Sequence, residues 1–514
     1  MIKTPSRQLS ADADRLVLVV GMRNDDREFA FSYDFMAPNG GALLHEGKSG
    51  AKPRGQRSPN SPSPRTAGGA GEGTSMKIAF VNQPFDRILP PLQNSIGICT
   101  YGLARSLANF ADVIVYGNRE LHEDVPSDLT DDGVRFRFLS SRARERILFS
   151  LHRKLNISGV PISRAITADW AYPGLVREVA MDLRKEGCDV VHIQNFSQYV
   201  PVIRSFNPHV KIVYQQHAAW FCQHDRRRLA RRFKDVDLFA GVSDYLADTA
   251  RRHFPMVADH LATIYNGIDP KEFRPVKDYR AARSRNEKRL LYAGNFSPSK
   301  GLHVLLDAFK LVLQRYPNVL LDIVGRNFSY ALLDMFDRED PALIASVKPW
   351  YAPHYAAHIK AWLSLAPKDA GSYAFRLKAS LPPEVAAKVS FLDQMPHAEL
   401  ANRYVEADVF VFPPLSPEGF GLPPVEAMAA GTPVVATCSG GIVETVRDGE
   451  TGILVAKNDA SALAQAILQL LEDDALRERM GRAARAWALG HFTWDRIAER
   501  AYTMYKTLSV PAPV

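Results

Sequence analysis

Two glutamates in the C-terminal half of the chain, Glu418 and Glu426, could bind a ligand that is rich in hydroxyl groups. An ionised carboxylate only accepts hydrogen bonds, so the pair suits the hydroxyls of a sugar or a ribose. Glu418 follows an apolar run, residues 409–412, closed by two prolines, which predicts a buried strand that ends at a loop. Glu426 follows two glycines and a second proline pair, which predicts a helix over residues 424–430 with Glu426 in its first turn.

These glutamates need a fold that brings them to one place. The helix is predicted to end at Gly431, which suits a left-handed cap, and a strand is predicted over residues 433–436. Strand, loop, helix and strand form the repeating unit of an open parallel sheet, whose ligands bind at the carboxyl ends of the strands, beside helix N-termini. Taken singly, each glutamate is explained more simply as a loop cap or a solvated first-turn carboxylate. The two together, in this order, are a more specific pattern.

The order of residues from Glu418 to Ala436 resembles the E-x7-E motif of retaining family 4 glycosyltransferases, which have the GT-B fold. The resemblance extends from about Met76 to Lys506 and is strongest in the second half. It implies an α/β protein of two Rossmann-like, doubly wound domains that face a central cleft. It also implies transfer of a sugar from a nucleotide sugar, either a UDP- or a GDP-sugar, to a saccharide or lipid-linked acceptor, with retention of configuration. Beyond this cosubstrate no cofactor and no metal ion is expected.

The same resemblance gives roles to individual residues. The catalytic ones would be Lys300, which lies in a Gly- and Ser-rich loop and would neutralise the diphosphate, and Glu418, which would bind the sugar hydroxyls. His217 would join them from the opposite domain, although a single histidine after a strand is more often structural. Glu426 would accept hydrogen bonds from the ribose. The residues expected to bind the donor are Gly97, Asn295, Lys300, Arg326, Gly419, Phe420, Gly421, Leu422, Glu426, Gly440 and Gly441.

Two positions depart from the family pattern. The family commonly has an arginine where this chain has Asn295, and a neutral amide donates hydrogen bonds without adding positive charge. Either Arg326 compensates for that charge or the affinity for the donor is lower. The paired glycines of the family's acceptor loop are reduced to Gly97, which follows Ile96. A second interpretation therefore stays open, namely a nucleotide-sugar-binding protein of the same fold with weakened catalysis.

The composition changes sharply along the chain. Residues 48–74 are mostly Gly, Ser, Pro, Arg and Ala, which cannot bury enough apolar surface to fold, and we expect the natural start at Met76. The predicted parts are a disordered N-terminal extension (1–75), an acceptor domain (76–270), a linker (271–288), a nucleotide-sugar domain (289–490) and a C-terminal helix that crosses back to the first domain (491–514).

Two further features each leave two interpretations open. Residues 327–388 are longer than the family usually is here, and form either a surface helical insertion with its own small core or an element for acceptor specificity. Basic residues are dense in residues 142–154 and 226–234. Such runs are usually a solvated face, but a basic amphipathic face also suits an anionic leaflet, which would place the protein on the inner face of the cytoplasmic membrane.

The totals exclude several classes of protein. A chain of 514 residues, 46% hydrophobic and 23% charged, is globular and long enough for two or three domains. Its four scattered cysteines indicate neither a zinc site nor a disulfide framework, so a cytoplasmic location is expected. No stretch suits a bilayer span, and a periplasmic sugar-binding protein would need a signal peptide. A pyridoxal-dependent phosphorylase would be longer, and the net charge of +8 is too modest to suggest a nucleic acid partner.

Overall fold

The structure is a computed structural model, in which the chain forms two compact units, Met1–Glu72 and Gly73–Val514. Each unit is described by itself. The described residues are 11–12, 15–24 and 27–35 in the first unit, and 75–147, 168–274, 276–327, 340–351 and 371–509 in the second.

The described part of the first unit is a small antiparallel sheet. Its strands are β1 Ala11–Asp12, β2 Arg15–Asn24 and β3 Arg27–Phe35, and β2 pairs with β3 from Leu16 opposite Phe35 to Asn24 opposite Arg27. This hairpin lies within residues 1–75, for which the sequence predicts a disordered extension, and that division of the chain stays a prediction. The valines of β2 favour its extended backbone. The Gly- and Pro-rich residues 48–74 lie outside the described residues.

The second unit begins with an eight-stranded sheet in the order β11-β10-β9-β8-β4-β5-β7-β6. All neighbours are parallel except β6, which pairs antiparallel with β7 at the sheet's edge. Its strands are β4 Lys77–Val81, β5 Asp112–Asn118, β6 Asp128–Asp131, β7 Val134–Leu139, β8 Val190–Gln194, β9 Lys211–Gln216, β10 Leu238–Gly241 and β11 Leu261–Thr263.

Five helices of this first α/β domain are described over their full length. They are α1 Ser95–Leu107, α2 Pro173–Glu186, α3 Tyr199–Phe206, α4 Arg226–Phe233 and α5 Asp244–His253. Short 3₁₀ turns lie at Arg119–Leu121, Ala219–Gln223 and Pro255–His260.

A second, six-stranded parallel sheet has the order β14-β13-β12-β15-β16-β17. Its strands are β12 Lys288–Ala293, β13 Val319–Val324, β14 Val389–Leu392, β15 Val409–Phe412, β16 Val434–Thr437 and β17 Gly452–Val455. Every residue of β15 and β16 is buried, as expected for central strands with helices on both faces.

The helices after β11 complete the second α/β domain, except that the last returns to the first. They are α6 Tyr279–Ser284, α7 Leu302–Arg315, α8 Pro341–Tyr351, α9 Tyr373–Ala379, α10 Pro383–Ala386, α11 His397–Glu406, α12 Leu422–Ala429, α13 Ile442–Thr445, α14 Ala460–Glu472, α15 Asp474–His491 and α16 Trp494–Ser509. The two parallel sheets with their helices confirm the predicted α/β class.

The last helix, α16, packs on the first domain. Its Asp495 accepts a hydrogen bond of 2.8 Å from the hydroxyl of Ser106 in α1, and the Trp494 indole lies against Gly102, where a Cβ would come within 2.2 Å of the ring. Further along, the Tyr505 hydroxyl lies 2.7 Å from Nδ1 of His192 in β8. The chain therefore connects the two domains at residues 264–278 and again at α16.

Candidate active site

The loop that carries Glu418 is fixed by the end of the neighbouring strand β16. The hydroxyl of Thr437 donates to the carbonyl of Pro414 at 2.6 Å, and that of Ser439 donates to the carbonyl of Ser416 at 2.7 Å. The loop ends at Gly421, whose φ of +88° few other residues adopt, and α12 starts directly after it. The structure thus begins this helix two residues before the predicted residue 424.

The loop of Lys300 is joined to the Glu418 loop through the backbone. The carbonyl of Ser299 accepts hydrogen bonds from the N–H groups of Leu415 and Ser416, at 2.8 and 3.2 Å. As a result Lys300 and Glu418 form an ion pair, with 19% and 13% of their side chains exposed. Lys300 Nζ also lies 5.6 Å from the ring centre of Phe412, at the end of β15. The structure therefore brings together two of the three predicted catalytic residues.

Three glycines let the Glu418 loop pack tightly against its surroundings. A Cβ at Gly419 would lie 2.0 Å from the His217 carbonyl oxygen of the first domain, and one at Gly440 would lie 2.1 Å from the Glu418 carbonyl oxygen. The N–H of Gly441 donates to that same Glu418 carbonyl at 2.9 Å. This N–H therefore holds the loop together, and the donor-binding role expected for Gly441 stays a prediction. These glycines serve close backbone packing.

His217, the third predicted catalytic residue, follows β9 and is half-buried. Its backbone N–H donates to Oδ1 of Asn195 at 2.8 Å, and its ring Nε2 lies 2.5 Å from Oε1 of Gln194. Loss of hydration lowers the pKa of His217 to about 3, so the ring is neutral at physiological pH. Because an amide oxygen cannot donate, Nε2 carries the proton and Nδ1 is left as an acceptor. His217 meets the Glu418 loop through its carbonyl, against Gly419.

A pocket of about 180 Å³ opens between the two domains, beside this loop. Four of the predicted donor-binding residues line it, namely Asn295, Arg326, Leu422 and Glu426, and the N-terminus of α1 forms the opposite wall with Asn94 and Ser95. The other predicted residues do not line it. These are Gly97, His217, Lys300, Glu418, Gly419, Phe420, Gly421, Gly440 and Gly441.

Two of these residues have a structural role that the sequence did not indicate. The N–H of Gly97 donates to Oδ1 of Asn94 at 3.0 Å, which caps helix α1. The side chain of Phe420 is buried and packs against Tyr265 and Phe492, with ring centres 6.0 and 5.5 Å apart. Only the backbone of Phe420 is left to border a ligand.

Glu426 is the most buried of the charged residues that line the pocket. Three side chains that the sequence analysis missed hold it in place, two of them directly and the third, Glu272, through His397. The carboxylate, 5% exposed, accepts a hydrogen bond from the Tyr404 hydroxyl at 2.8 Å and another from Nε2 of His397 at 2.8 Å. Nδ1 of His397 lies 2.9 Å from a carboxylate oxygen of Glu272. Burial acts to lower the pKa of His397, but Glu426 and Glu272 outweigh it and raise the pKa to about 10. The sequence signal that could have identified these residues is the spacing of His397 and Tyr404, which lie two turns apart on helix α11.

Arg326 adds a positive charge to the lining of the pocket. This residue follows β13 and is exposed, and its carbonyl accepts a hydrogen bond from the N–H of Phe296 at 2.8 Å. Asn295 lies at the end of β12, and its carbonyl accepts from the Tyr292 hydroxyl at 3.1 Å. Arg326 and Asn295 line the same pocket. Arg326 therefore provides a guanidinium near Asn295, the position where the family commonly has an arginine.

The described part of the insertion contacts the Lys300 loop directly. The Tyr351 hydroxyl, at the end of α8, accepts a hydrogen bond from the N–H of Ser299 at 3.1 Å. The Tyr373 hydroxyl accepts from the N–H of His303 at 3.0 Å, in the first turn of α7. Residues 328–339 and 352–370 lie outside the described residues.

The basic stretches differ in their surroundings. In α4, Arg232 is buried, donates to the Ser197 hydroxyl at 2.9 Å and pairs with Asp169, whereas Arg226, Arg227 and Arg228 are exposed. The predicted stretch at residues 142–154 extends beyond 147 into residues outside those described. No helix in the described part of the chain is long and apolar enough to cross a membrane. Within the same residues, no three His, Cys, Asp or Glu side chains are arranged to hold a metal ion.

Comparison with known proteins places this site in a family context. A family model described as Glycosyltransferase Family 4 matches residues 97–272, and one described as Glycosyl transferases group 1 matches residues 276–487. The phosphatidyl-myo-inositol mannosyltransferase of Mycobacterium tuberculosis is 31% identical over 274 residues, which cover 51% of this chain and 59% of that protein.

Solved structures agree with the sequence comparison. Sucrose-phosphate synthase from Thermosynechococcus elongatus superposes with a TM-score of 0.60 and 23% identity, over 84% of this chain and 99% of that one. Anabaena Alr3699/HepE in complex with UDP-glucose has a TM-score of 0.55 and 20% identity, over the same 84% and 99%. These likenesses confirm the predicted GT-B fold.

Proposed function

Because the chain belongs to the group 1 glycosyltransferases of the family 4 type, we propose that it transfers a glycosyl group from a nucleoside diphosphate sugar to a saccharide or glycolipid acceptor, with retention of configuration. The observation that carries the proposal is the meeting of Lys300 and Glu418 next to a pocket that contains Glu426. One cation and two carboxylates are what a diphosphate, a sugar and a ribose require.

Each group has a place in the proposed reaction. The bond between the anomeric carbon and the diphosphate breaks, and Lys300 neutralises the negative charge that develops on the leaving oxygen. Glu418 accepts hydrogen bonds from sugar hydroxyls, and Glu426 accepts from the ribose. The acceptor hydroxyl attacks the same face, and its proton passes to the departing phosphate oxygen. The carbonyl of His217 borders the sugar site beside Gly419. No metal ion and no resident cofactor is required in this scheme.

The donor and the acceptor are proposed from the relatives. Alr3699/HepE was solved with UDP-glucose, which makes UDP-sugars the first donors to test. The mycobacterial relative is named for a phosphatidyl-myo-inositol substrate, so inositol-containing and lipid-linked acceptors come first. The exposed arginines of α4 would then rest on an anionic leaflet, and the chain would act at the inner face of the cytoplasmic membrane. Flotation with anionic and neutral liposomes tests this part, and equal binding to both would refute it.

A thermal-shift screen tests the donor site. The protein starting at Met76 would be mixed with UDP-, GDP-, ADP- and dTDP-sugars, alongside Glu426→Ala and the surface control Glu384→Ala. A ligand at about 100 times its Kd adds roughly 2.7 kcal/mol to the stability of a two-state protein. We expect a shift with one nucleotide family, absent only in Glu426→Ala. No shift with any nucleotide sugar would contradict the proposal.

Asn295 favours a second candidate function, a protein that binds nucleotide sugars without turnover. The missing arginine charge at this position would weaken stabilisation of the leaving group more than ground-state binding. Turnover separates the two candidates. A thermal shift with a UDP-sugar, together with no release of UDP in the presence of acceptors or water, would favour the binding protein.

A further inference from the structure

The imidazole of His397 lies between two carboxylates from different parts of the fold. Its Nε2 lies 2.8 Å from Glu426 in α12, and its Nδ1 lies 2.9 Å from Glu272, in the segment that leads from the first domain to the second. A neutral imidazole has one N–H, which would leave the lone pair of the other nitrogen facing a carboxylate oxygen. Both contacts are favourable only for an imidazolium, so the geometry assigns His397 its protonated form.

This arrangement determines what Glu426 can do for a ligand. His397 occupies one carboxylate oxygen and the Tyr404 hydroxyl the other, both at 2.8 Å. Each oxygen keeps a further lone pair, and Glu426 lines the pocket, so the remaining acceptor sites are presented there in a fixed orientation.

The other groups near the His397 ring do not supply negative charge to an imidazolium. The ring of Phe273, next to Glu272, stands perpendicular to His397 with centres 6.1 Å apart. Arg326 lines the same pocket, and Tyr404 on the same helix donates to Glu426. Cys99 of the first domain is neutral, since burial and then Glu426 raise the pKa of its thiol. The charges that face the imidazolium are therefore Glu426 and Glu272.

We propose that His397 is a positioning residue of the donor site, which as an imidazolium orients Glu426 for the ribose and ties it to Glu272 in the connecting segment. This inference rests on the proposed function, because it needs Glu426 to bind the ribose of a nucleotide. It adds to that function the residue that sets the orientation of the binding carboxylate. The catalytic step itself remains with Lys300 and Glu418.

Donor binding and steady-state kinetics test the proposal with full-length wild-type protein, His397→Gln, His397→Phe and Glu272→Gln. We expect Kd for UDP and KM for the sugar donor to rise about tenfold or more in His397→Phe, since Glu426 then loses a hydrogen bond from a charged group. Both constants should rise less in His397→Gln, which keeps one hydrogen-bond donor, and least in Glu272→Gln. The KM for the acceptor should stay unchanged in all three.

Imidazole nitrogen NMR provides the measurement that a merely structural role would not change. The signal that disappears in His397→Gln belongs to His397. In the wild type this signal should show both ring nitrogens protonated at pH 8, and in Glu426→Gln it should move toward the signal of a neutral ring. The pKa of His397 is raised to about 10 in the folded protein, so its contribution to the free energy of unfolding is fully present below the ordinary pKa of 6.5 and is lost as pH rises through about 10. In the folded protein, however, the ring itself stays protonated until the pH approaches 10. Wild-type donor binding should therefore not lose the His397 contribution between pH 7 and 9.

The outcomes separate this inference from the proposed function. If the wild type binds UDP, Glu426→Gln does not, and His397→Phe binds as the wild type does, the role of His397 is refuted while the function stands. A neutral His397 ring at pH 8 would refute it as well. If the wild type binds no nucleotide, the proposed function fails, and with it the inference. Circular dichroism melts of each variant identify any that fails to fold, and the milder His397→Gln then decides.

Discussion

At the scale of single residues, the pairing of Lys300 with Glu418 is the contact with the largest chemical consequence. Both side chains are mostly buried, and each neutralises the other. In the proposed complex, a diphosphate would neutralise Lys300 and a sugar hydroxyl would donate a hydrogen bond to Glu418, in place of the ion pair between the two side chains. Substitution of either residue should therefore affect activity far more than a surface ion pair would, since exposed pairs are worth about 0–1 kcal/mol.

Lys300→Met should reduce kcat/KM by about 100-fold or more, because it removes the charge that stabilises the leaving diphosphate. It should also lower the free energy of unfolding by about 1–3 kcal/mol, because Glu418 loses its partner. Steady-state kinetics and urea unfolding measure the two effects. Lys310→Met, on the exposed part of α7, is the control and should change neither. A Lys300→Met protein with wild-type turnover would contradict the assigned role.

Asn295→Arg should strengthen binding of the donor. The position lines the pocket together with Arg326, and a guanidinium there adds a charge-assisted hydrogen bond to the diphosphate. We expect a gain of about tenfold in the affinity for UDP, measured by calorimetry, and a steeper dependence on salt. Asn286→Arg, which adds the same charge at an exposed position, should leave the affinity unchanged. Equal effects of the two variants would show that only net charge matters.

Sequence reasoning identified residues of the site that lie in one continuous motif. Glu418 and Glu426 come from a single stretch, and Lys300 lies in a recognisable loop. His397, Tyr404 and Glu272 were missed because they meet Glu426 only through tertiary packing of α11, α12 and the connecting segment. The hydrogen bond from the N–H of Gly441 to the Glu418 carbonyl was missed for the same reason, since the sequence cannot place that carbonyl.

At the scale of elements, the insertion supports the loop of Lys300. Tyr351 and Tyr373 accept hydrogen bonds from backbone N–H groups on either side of Gly301, and His303 packs against Trp350 with ring centres 5.2 Å apart. Of the two interpretations left open by the sequence, neither included this contact. The described part of the insertion is packed on the donor side of the site.

Tyr351→Phe should loosen the Lys300 loop without unfolding the domain. The N–H of Ser299 would lose its acceptor, which costs about 1 kcal/mol, and Lys300 would be held less well. We expect a several-fold rise in the donor KM with a small change in Tm. Tyr316→Phe, at the other end of α7, is the matched control. If both variants behave as the wild type does, the insertion does not influence the loop.

The central strands could be predicted from sequence and the edge elements could not. Strand β15 has the predicted bounds, residues 409–412, because an apolar run without polar interruption indicates a strand buried on both faces. The edge hairpin of β6 and β7 was missed, since Asp128–Asp131 contains a single apolar residue. Helix α4 was predicted as a basic helical segment, but its five arginines obscured the core role of its buried Leu229 and Phe233.

At the scale of the whole second unit, Glu444 joins the two domains next to the site. From α13 of the second domain its carboxylate accepts hydrogen bonds from the N–H groups of Asp244 and Tyr245, at 2.8 and 2.6 Å, and from the Tyr265 hydroxyl at 3.3 Å. These N–H groups begin helix α5, whose dipole favours a negative charge there. Since α13 directly follows Gly440 and Gly441, this contact connects the arrangement of the domains to the Glu418 loop.

Glu444→Ala should therefore weaken the contact that holds the two domains together next to the site, which is called the closed arrangement. Three hydrogen bonds to a carboxylate are lost, and at about 1 kcal/mol each this would disfavour closure by a factor of ten or more. We expect a lower kcat/KM for the donor and a broader distance distribution between spin labels placed on α4 and α14. Glu450→Ala removes a carboxylate from the exposed turn that follows, and should alter neither quantity. Unchanged distances in Glu444→Ala would mean that α16 and the Phe420 contacts hold the domains together without it.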